Sequence, residues 1–286
     1  MNGPFHPGEL RAQQLAGKGS SGGAIRDSMP DQHRAFFAML PFVLVATVGA
    51  DGWPRARVLS GAPGFVHSPD PATLQVAAAI DAPAGSRIAL LGLDFGTRRR
   101  NRANGTIAAV DAHGFTIAVD ESFGNCPKYI RLRDVEAAPR EAAAGAAPAT
   151  VSFTGLTEEA RRMVAAADTL FVATTGGQYG ADISHRGGEP GFVQVGGDTL
   201  TVPDFAGNRY FNTLGNMLVD DRTALLLIDY ASGDVLHLQG RADVAWSAAA
   251  AAGLPGAERL WRLRVEGGTL QRAAVPLRWR PRAAVE

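Results

Sequence analysis

Short apolar runs broken by glycine turns dominate this chain. Residues 42–48 (FVLVATV) are apolar and partly β-branched, and residues 55–59 alternate after an Ala50-Asp51-Gly52 turn, which predicts a hairpin. Further strands are predicted at 64–66, 74–78, 106–110, 115–119 and 129–135, with Asp111-Ala112-His113-Gly114 as a second hairpin turn. Residues 86–93 read as a short helix or an apolar strand. A helix is predicted over 27–40, where Ala35, Phe36, Met39 and Leu40 form a stripe and Asp27 or Ser28 can cap it. A second helix begins at Thr157, with Glu158 and Glu159 in its first turn, where the helix dipole favours them. Strands follow at 170–175, 191–195, 199–202, 224–229, 235–242, 260–265 and 270–275, and 208–217 reads as a short helix or loop.

The order repeats itself. VLVATVGADGWPRARVLSGAPGFV (43–66) is echoed by FVATTGGQYGADISHRGGEPGFV (171–193), and each is followed by a TL-x-V strand and a Gly-polar-Arg loop. The offset is 127 from Phe65 to Phe192 and 122 from Arg87 to Arg209. Such constancy predicts a duplicated β unit. The expected organisation is an N-terminal arm (1–26), extended or partly ordered; a first repeat (27–136); an Ala/Pro-rich linker (137–156); and a second repeat (157–286). The fold class is mainly β (α+β), two tandem barrels. There is no βαβ alternation, and no Gly-x-Gly-x-x-Gly opens a helix after a strand, so a dinucleotide-binding Rossmann fold is excluded.

Composition narrows the partners. The 286 residues carry no formal net charge, so no overall basic field attracts nucleic acid and any anion must be held by a local cluster. The one cysteine, Cys126, cannot form an internal disulfide. The longest apolar stretch, near 40–50, is interrupted by Pro41, Thr47 and Gly49 and is too short to span a bilayer. No signal peptide is read at the N-terminus, and a cytoplasmic location is expected. Six scattered histidines lack metal-ligand spacing, so no metal is expected.

The chemistry concentrates in the second repeat. Residues 181–193 deliver Ser184, His185 and Arg186 from a strand into a glycine turn, and 203–216 follow with Asn208, Arg209, Asn212, Thr213 and Asn216. Guanidinium, hydroxyl and amide groups in that mixture suit a phosphate monoester. A polar hairpin with solvated arginines is the alternative. The 98–102 run (RRRNR) is either a solvated face or a pocket wall. Cys126 is either a structural thiol or one activated by Lys128.

The run S-H-R-G-G-E-P-G-F-V with T-L-x-V-P-D-F-x-G-N-R-x-F-N-T-L-G-N resembles the pyridoxamine 5′-phosphate oxidase-like FMN-binding split-barrel family, particularly its long two-barrel members. F-H-P-G-E (5–9), T-R-R-R-N-R-A-N-G (97–105) and F-G-N-C-P-K-Y-I (123–130) support the same resemblance. It implies FMN bound where two split barrels meet, here within one chain as an intrachain pseudo-dimer, with further homodimerisation left open. The cofactor-binding residues implied are Ser184, His185, Arg186, Asn208, Arg209, Asn212, Thr213 and Asn216. Arg99 and Lys128 of the first repeat and Trp279 of the C-terminal segment complete the set. The family's loop carries a Ser-Arg-Lys-like run, where this chain has Gly207-Asn208-Arg209, one cation fewer. The first repeat has Ile88, Ala89, Leu90 and Leu91 after its Gly-Ser-Arg, so one occupied site is expected. The arm with His6 and Glu9 either folds over the pocket or ends free. The function implied is an FMN-dependent oxidoreductase acting on a small-molecule substrate, with NADH or NADPH as a possible reductant. The alternative is a non-catalytic flavin- or haem-binding protein. No catalytic acid or base is assigned.

Overall fold

The computed structural model describes residues 3–138 and 149–282. Two antiparallel sheets carry the same strand order. The first uses β1 (Phe42–Val48), β2 (Pro54–Ser60), β3 (Val66–Asp70), β4 (Thr73–Val76), β5 (Arg87–Asp94), β6 (Arg99–Asp111) and β7 (Gly114–Gly124), ordered β2-β1-β5-β6-β7-β4-β3. The second uses β10 (Thr169–Thr175), β11 (Ala181–Gly187), β12 (Gln194–Gly196), β13 (Thr199–Phe205), β14 (Arg222–Ile228), β15 (Val235–Ala245) and β16 (Ala257–Gln271). Its order is β11-β10-β14-β15-β16-β13-β12, the same path strand for strand. The chain is thus a pair of split barrels. β9 (Thr150–Thr154) adds to β16, inside the region expected to be linker. The core of that expected linker, 139–148, lies outside the described residues.

The central strands are apolar on both faces because each serves two cores. On β1, Val43 and Val45 face the first barrel's interior while Phe42, Leu44 and Ala46 face the seam between barrels. On β10, Leu170 and Val172 face the second barrel's interior while Phe171 and Ala173 face the seam. β5 and β14 divide in the same way, with Leu91 and Leu226 in the seam. Burial at ~25 cal/mol per Å² makes this shared apolar layer the main force joining the repeats. An alternating strand, apolar on one side only, could not supply it.

The register explains the duplication and corrects it. Ala46 pairs with Ala89, and Ala173 pairs with Ala224. The offset between copies is therefore 127 from Ala46 to Ala173 and 135 from Ala89 to Ala224. The Gly-Ser-Arg and Gly-Asn-Arg loops are not equivalent. Residues 86–93 belong to strand β5, and its counterpart is β14, not the loop at Arg209. What the second copy has in addition is a helix between β13 and β14. Both copies keep a glycine bulge on the strand before the long hairpin: a Cβ on Gly105 would lie 2.0 Å from Ala118 O, and one on Gly240 2.1 Å from Arg264 O.

Among the described residues, four α-helices decorate the barrels: α1 (Pro7–Leu15), α2 (Asp31–Met39), α3 (Glu158–Ala166) and α4 (Asn212–Val219). The arm is therefore not extended; His6 and Glu9 form a capping box that starts α1. α2 starts at Asp31 after Pro30, later than expected, because Pro30 is extended and enters the helix as its cap. The strand expected at 260–265 is part of one long strand, β16, which ends at Gln271; residues 272–275, expected to be strand, lie in the turn after it. β8 (Arg133–Ala137), read as closing the first repeat, pairs instead with β17 (Leu277–Pro281) of the second. No helix among the described residues is long and apolar enough to cross a membrane.

Candidate functional site at the barrel seam

A pocket opens where β6 of the first repeat faces β11, the β13–α4 loop and β16 of the second, enclosing about 910 Å³ with solvent-facing space included. Alternation on β6 decides which arginines reach it. Arg100 and Arg102 point into the pocket with the seam residues they pair beside, Leu93 and Leu91. Arg99, one position out of phase, donates to Gln32 O at 2.6 Å and lies 4.6 Å over the Phe36 ring. The arginine run is thus a pocket wall, but through Arg100 and Arg102 and not through the expected Arg99.

Arg102 is the buried anchor. It bonds Asp182 Oδ1 and Ser184 Oγ on β11 and reaches Asn212 Oδ1 at 3.5 Å. Thr213 Oγ1 donates to Ser184 Oγ at 2.7 Å, so α4, β11 and β6 share one network. Ser184 therefore lines the pocket with its hydroxyl already engaged. Arg100 has a different environment. Its Nε donates to Cys126 O at 2.8 Å and its Nη1 meets His185 Nδ1 at 2.8 Å, and it forms no ion pair among the described residues. Burial, with Arg102 and Arg186 nearby, lowers its pKa to about 10.

His185 is 4% exposed, and burial followed by Arg100, Arg186 and Arg133 holds its pKa well below the usual histidine value. Nδ1 accepts from Arg100, which leaves the proton on Nε2. That Nε2 is buried with no acceptor, as are Asn125 Nδ2, Arg102 Nε and Arg186 Nε around the same pocket. All four are donors. Across the pocket, Asp204 takes Arg259 at 2.5 Å and Arg186 at 3.7 Å.

The loop before α4 supplies the remaining groups. Asn208 donates to Asn125 Oδ1 at 3.2 Å and accepts from Tyr210 N at 3.1 Å. Arg209 (φ 63°) and Phe211 (φ 62°) adopt left-handed backbone, a conformation that costs non-glycine residues roughly 1–3 kcal/mol each. That turn leaves Arg209 exposed at the pocket mouth with Lys128.

Eight of the eleven residues expected here converge: Ser184, His185, Arg186, Asn208, Arg209, Asn212, Thr213 and Lys128 all line the pocket. Asn216 does not; it bonds Thr174 Oγ1 at 3.1 Å and meets His6 Nε2 at 2.9 Å from the arm. Trp279 is buried in the seam core against Phe42 (5.3 Å) and Tyr230 (5.1 Å), because β17 packs on β8 away from the pocket. Arg100 and Arg102 were named only as part of the arginine run, and Asn125, Asp204 and Arg259 were missed. For the first two, extending the strand expected at 106–110 back through the arginine run would have shown which phase faces inward.

Residues 29–154 match the model of the pyridoxamine 5′-phosphate oxidase family. The second repeat follows the same strand path as the matched first. This match supports the resemblance to the pyridoxamine 5′-phosphate oxidase-like split-barrel family read from the sequence. Solved structures similar to the chain include HupZ of Group A Streptococcus, at 17% identity over 39% of this chain and 90% of that one, TM-score 0.32. A FAD-binding protein from Mesorhizobium loti is similar at 11% identity over 42% and 97% of the two chains, TM-score 0.30. A Clostridium acetobutylicum protein of the pyridoxinephosphate oxidase family, related to general stress protein 26, is similar at 13% identity over 43% and 92%, TM-score 0.29. No curated protein matches the chain.

Proposed function

We propose that the seam pocket binds FMN and that the protein is an FMN-dependent oxidoreductase acting on a small molecule, with NADH or NADPH as the candidate reductant. One observation carries the ligand assignment. The pocket presents four buried donors without acceptors and a buried Arg100 without a carboxylate. Such a set fits an acceptor-rich anion and is costly without one. A flavin mononucleotide offers a phosphate and a ring edge rich in acceptors, and the family match over residues 29–154 supports the choice.

In this reading Arg209, Lys128, Arg186 and Asn208 hold the phosphate near the mouth. Arg100 and the His185 Nε2–H meet acceptors deeper in. Arg102 Nε joins them, while the Arg102 Nη groups bond Asn212 and Ser184 and keep the wall rigid. Bound flavin would supply the hydride or electron transfer itself. His185, held neutral, donates a hydrogen bond and moves no proton. The first repeat has no counterpart of α4, which supports one FMN per chain.

Absorption spectroscopy of the purified protein, followed by chromatography of the released chromophore, tests this. FMN at about one per chain is expected. A colourless protein that takes up no added FMN overturns the reading, and a Soret band replaces it with haem. Oxidation of NADH or NADPH by the loaded protein then tests for turnover.

A further inference from the structure

A second cavity lies between the N-terminal arm and the seam, on the far side of Arg102 and Asn212 from the first, and encloses about 1410 Å³ with solvent-facing space included. Its chemistry is the reverse of the seam pocket's. Three carboxylates line it: Glu9 on α1, Glu121 on β7 and Asp182 on β11. Asp182 is answered by Arg102. Arg87, at the rim, is taken by Asp120 and by Thr106 Oγ1. Glu9 and Glu121 are answered by neutral donors: His6 N and Asn212 Nδ2 for Glu9, and Asn104 Nδ2, at 3.1 Å, for Glu121. The His6 ring stands 3.7 Å from Glu9, and burial lowers its pKa, which favours the neutral ring.

Asn104 supplies the independent observation. It is 8% exposed and lines the cavity, and its Oδ1 has no donor. The orientation of its amide is set by Glu121, since a carboxylate requires the NH2 group and turns the carbonyl away. A buried acceptor without a donor is costly. Above it, His6 and Tyr179 stack at 4.9 Å with a 7° interplanar angle, giving the cavity an aromatic wall. Among the described residues no three acidic, histidine or cysteine groups converge closely enough to hold a metal ion. The groups are spread as separate acceptors around a larger guest.

We propose that this cavity binds a ligand bearing a primary ammonium group on a short flexible chain, its donors shared among Glu9, Glu121 and Asn104 Oδ1. An ammonium carries three donors and one positive charge, which matches the unmet acceptor and two carboxylates that form no ion pair with an arginine or lysine among the described residues. The site lies beside the proposed FMN pocket, with the Arg102–Asp182 pair and Asn212 forming the wall they share. Binding is pH-dependent. Burial raises Glu9 to about 7 and raises Glu121 as well; the other charged or titratable groups facing them are Asp182, Arg87, Arg102 and His6. The guest therefore binds when both glutamates are ionised.

Isothermal titration of the full chain with 1,4-diaminobutane, and with 1-butanol as the uncharged control, tests this at pH 8 and pH 5.5. Saturable binding of the diamine at pH 8 is expected, at least ten-fold weaker at pH 5.5, with none for butanol. Glu121→Gln and Glu9→Gln, both near-isosteric, should each weaken it at least ten-fold without lowering the melting temperature at pH 5.5. No saturable binding at pH 8, or affinity unchanged from the parent in either variant, overturns the proposal. So does equal binding of butanol.

Discussion

Arg100 donates from Nη1 to His185 Nδ1 across 2.8 Å, and that bond runs from the first repeat to the second. It fixes the tautomer of a buried histidine with an arginine that has no carboxylate of its own. The His185 pKa lies well below 6.5 in the folded chain. Its contribution to stability is therefore full above about 6.5 and is lost as the pH falls below it. Nitrogen-15 spectra should show His185 protonated at Nε2 alone at pH 7 and unchanged at pH 5.5. A titration near the free histidine value would refute the assignment.

Arg102 and Asp182 form the buried ion pair of the site. Removing one partner strands the other. Arg102→Leu should cost about 3–5 kcal/mol in urea unfolding, and the double change with Asp182→Leu should recover much of that loss.

Glu9 titrates where it can be observed. Burial raises its pKa from 4.5 to about 7, so the folded arm prefers the neutral acid. That contribution is complete below about 4.5 and disappears as the pH rises through 7. Hydrogen exchange of α1, corrected for intrinsic rates, should show protection falling between pH 5 and pH 8. Glu9→Gln should flatten the profile.

α1 meets α4 through two glycines. A Cβ on Gly215 would lie 2.6 Å from Glu9 Cα, and one on Gly8 2.4 Å from Gly215 O. Gly215→Ala should destabilise by about 1–3 kcal/mol, as overpacked contacts do, and free the arm for early proteolytic cleavage near residues 16–22. Cleavage no faster than in the parent would count against the close docking.

The two faces of the arginine run separate the site from its surroundings. Arg209→Ala and Arg100→Leu should each weaken FMN binding at least ten-fold. Arg99→Ala should leave it within about two-fold, because that side chain lies over Phe36. Trp279→Ala should cost about 3–5 kcal/mol of stability as a large seam truncation. Fluorescence quenching of added FMN measures the first three, and urea unfolding the last.

Much of the site was legible because its residues sit close together along the chain. Ser184, His185 and Arg186 alternate on one strand, and Asn208 to Thr213 form one loop and the start of one helix. Arg99 was misplaced because a charge run has no visible phase until its strand is paired; Arg100 and Arg102 then face inward and Arg99 outward. Trp279 was misplaced because its position depends on β8, some 140 residues earlier in the chain, pairing Val135 with it. The equivalence of Arg87 with Arg209 failed for a similar reason: local likeness hid an inserted helix that only the Ala89 and Ala224 registers expose.

Taken alone, the order of apolar runs and turns determined that the chain holds two copies of a β unit, since periodicity and repetition are local properties. The tertiary structure decided what packs against what. It set Phe42 and Phe171 in one shared seam, brought Arg100 to His185, and turned the arm back so that Glu9 reaches Asn212. Those contacts join residues 85 and 203 positions apart. No local pattern specifies them, because they follow from burying two apolar sheets against each other.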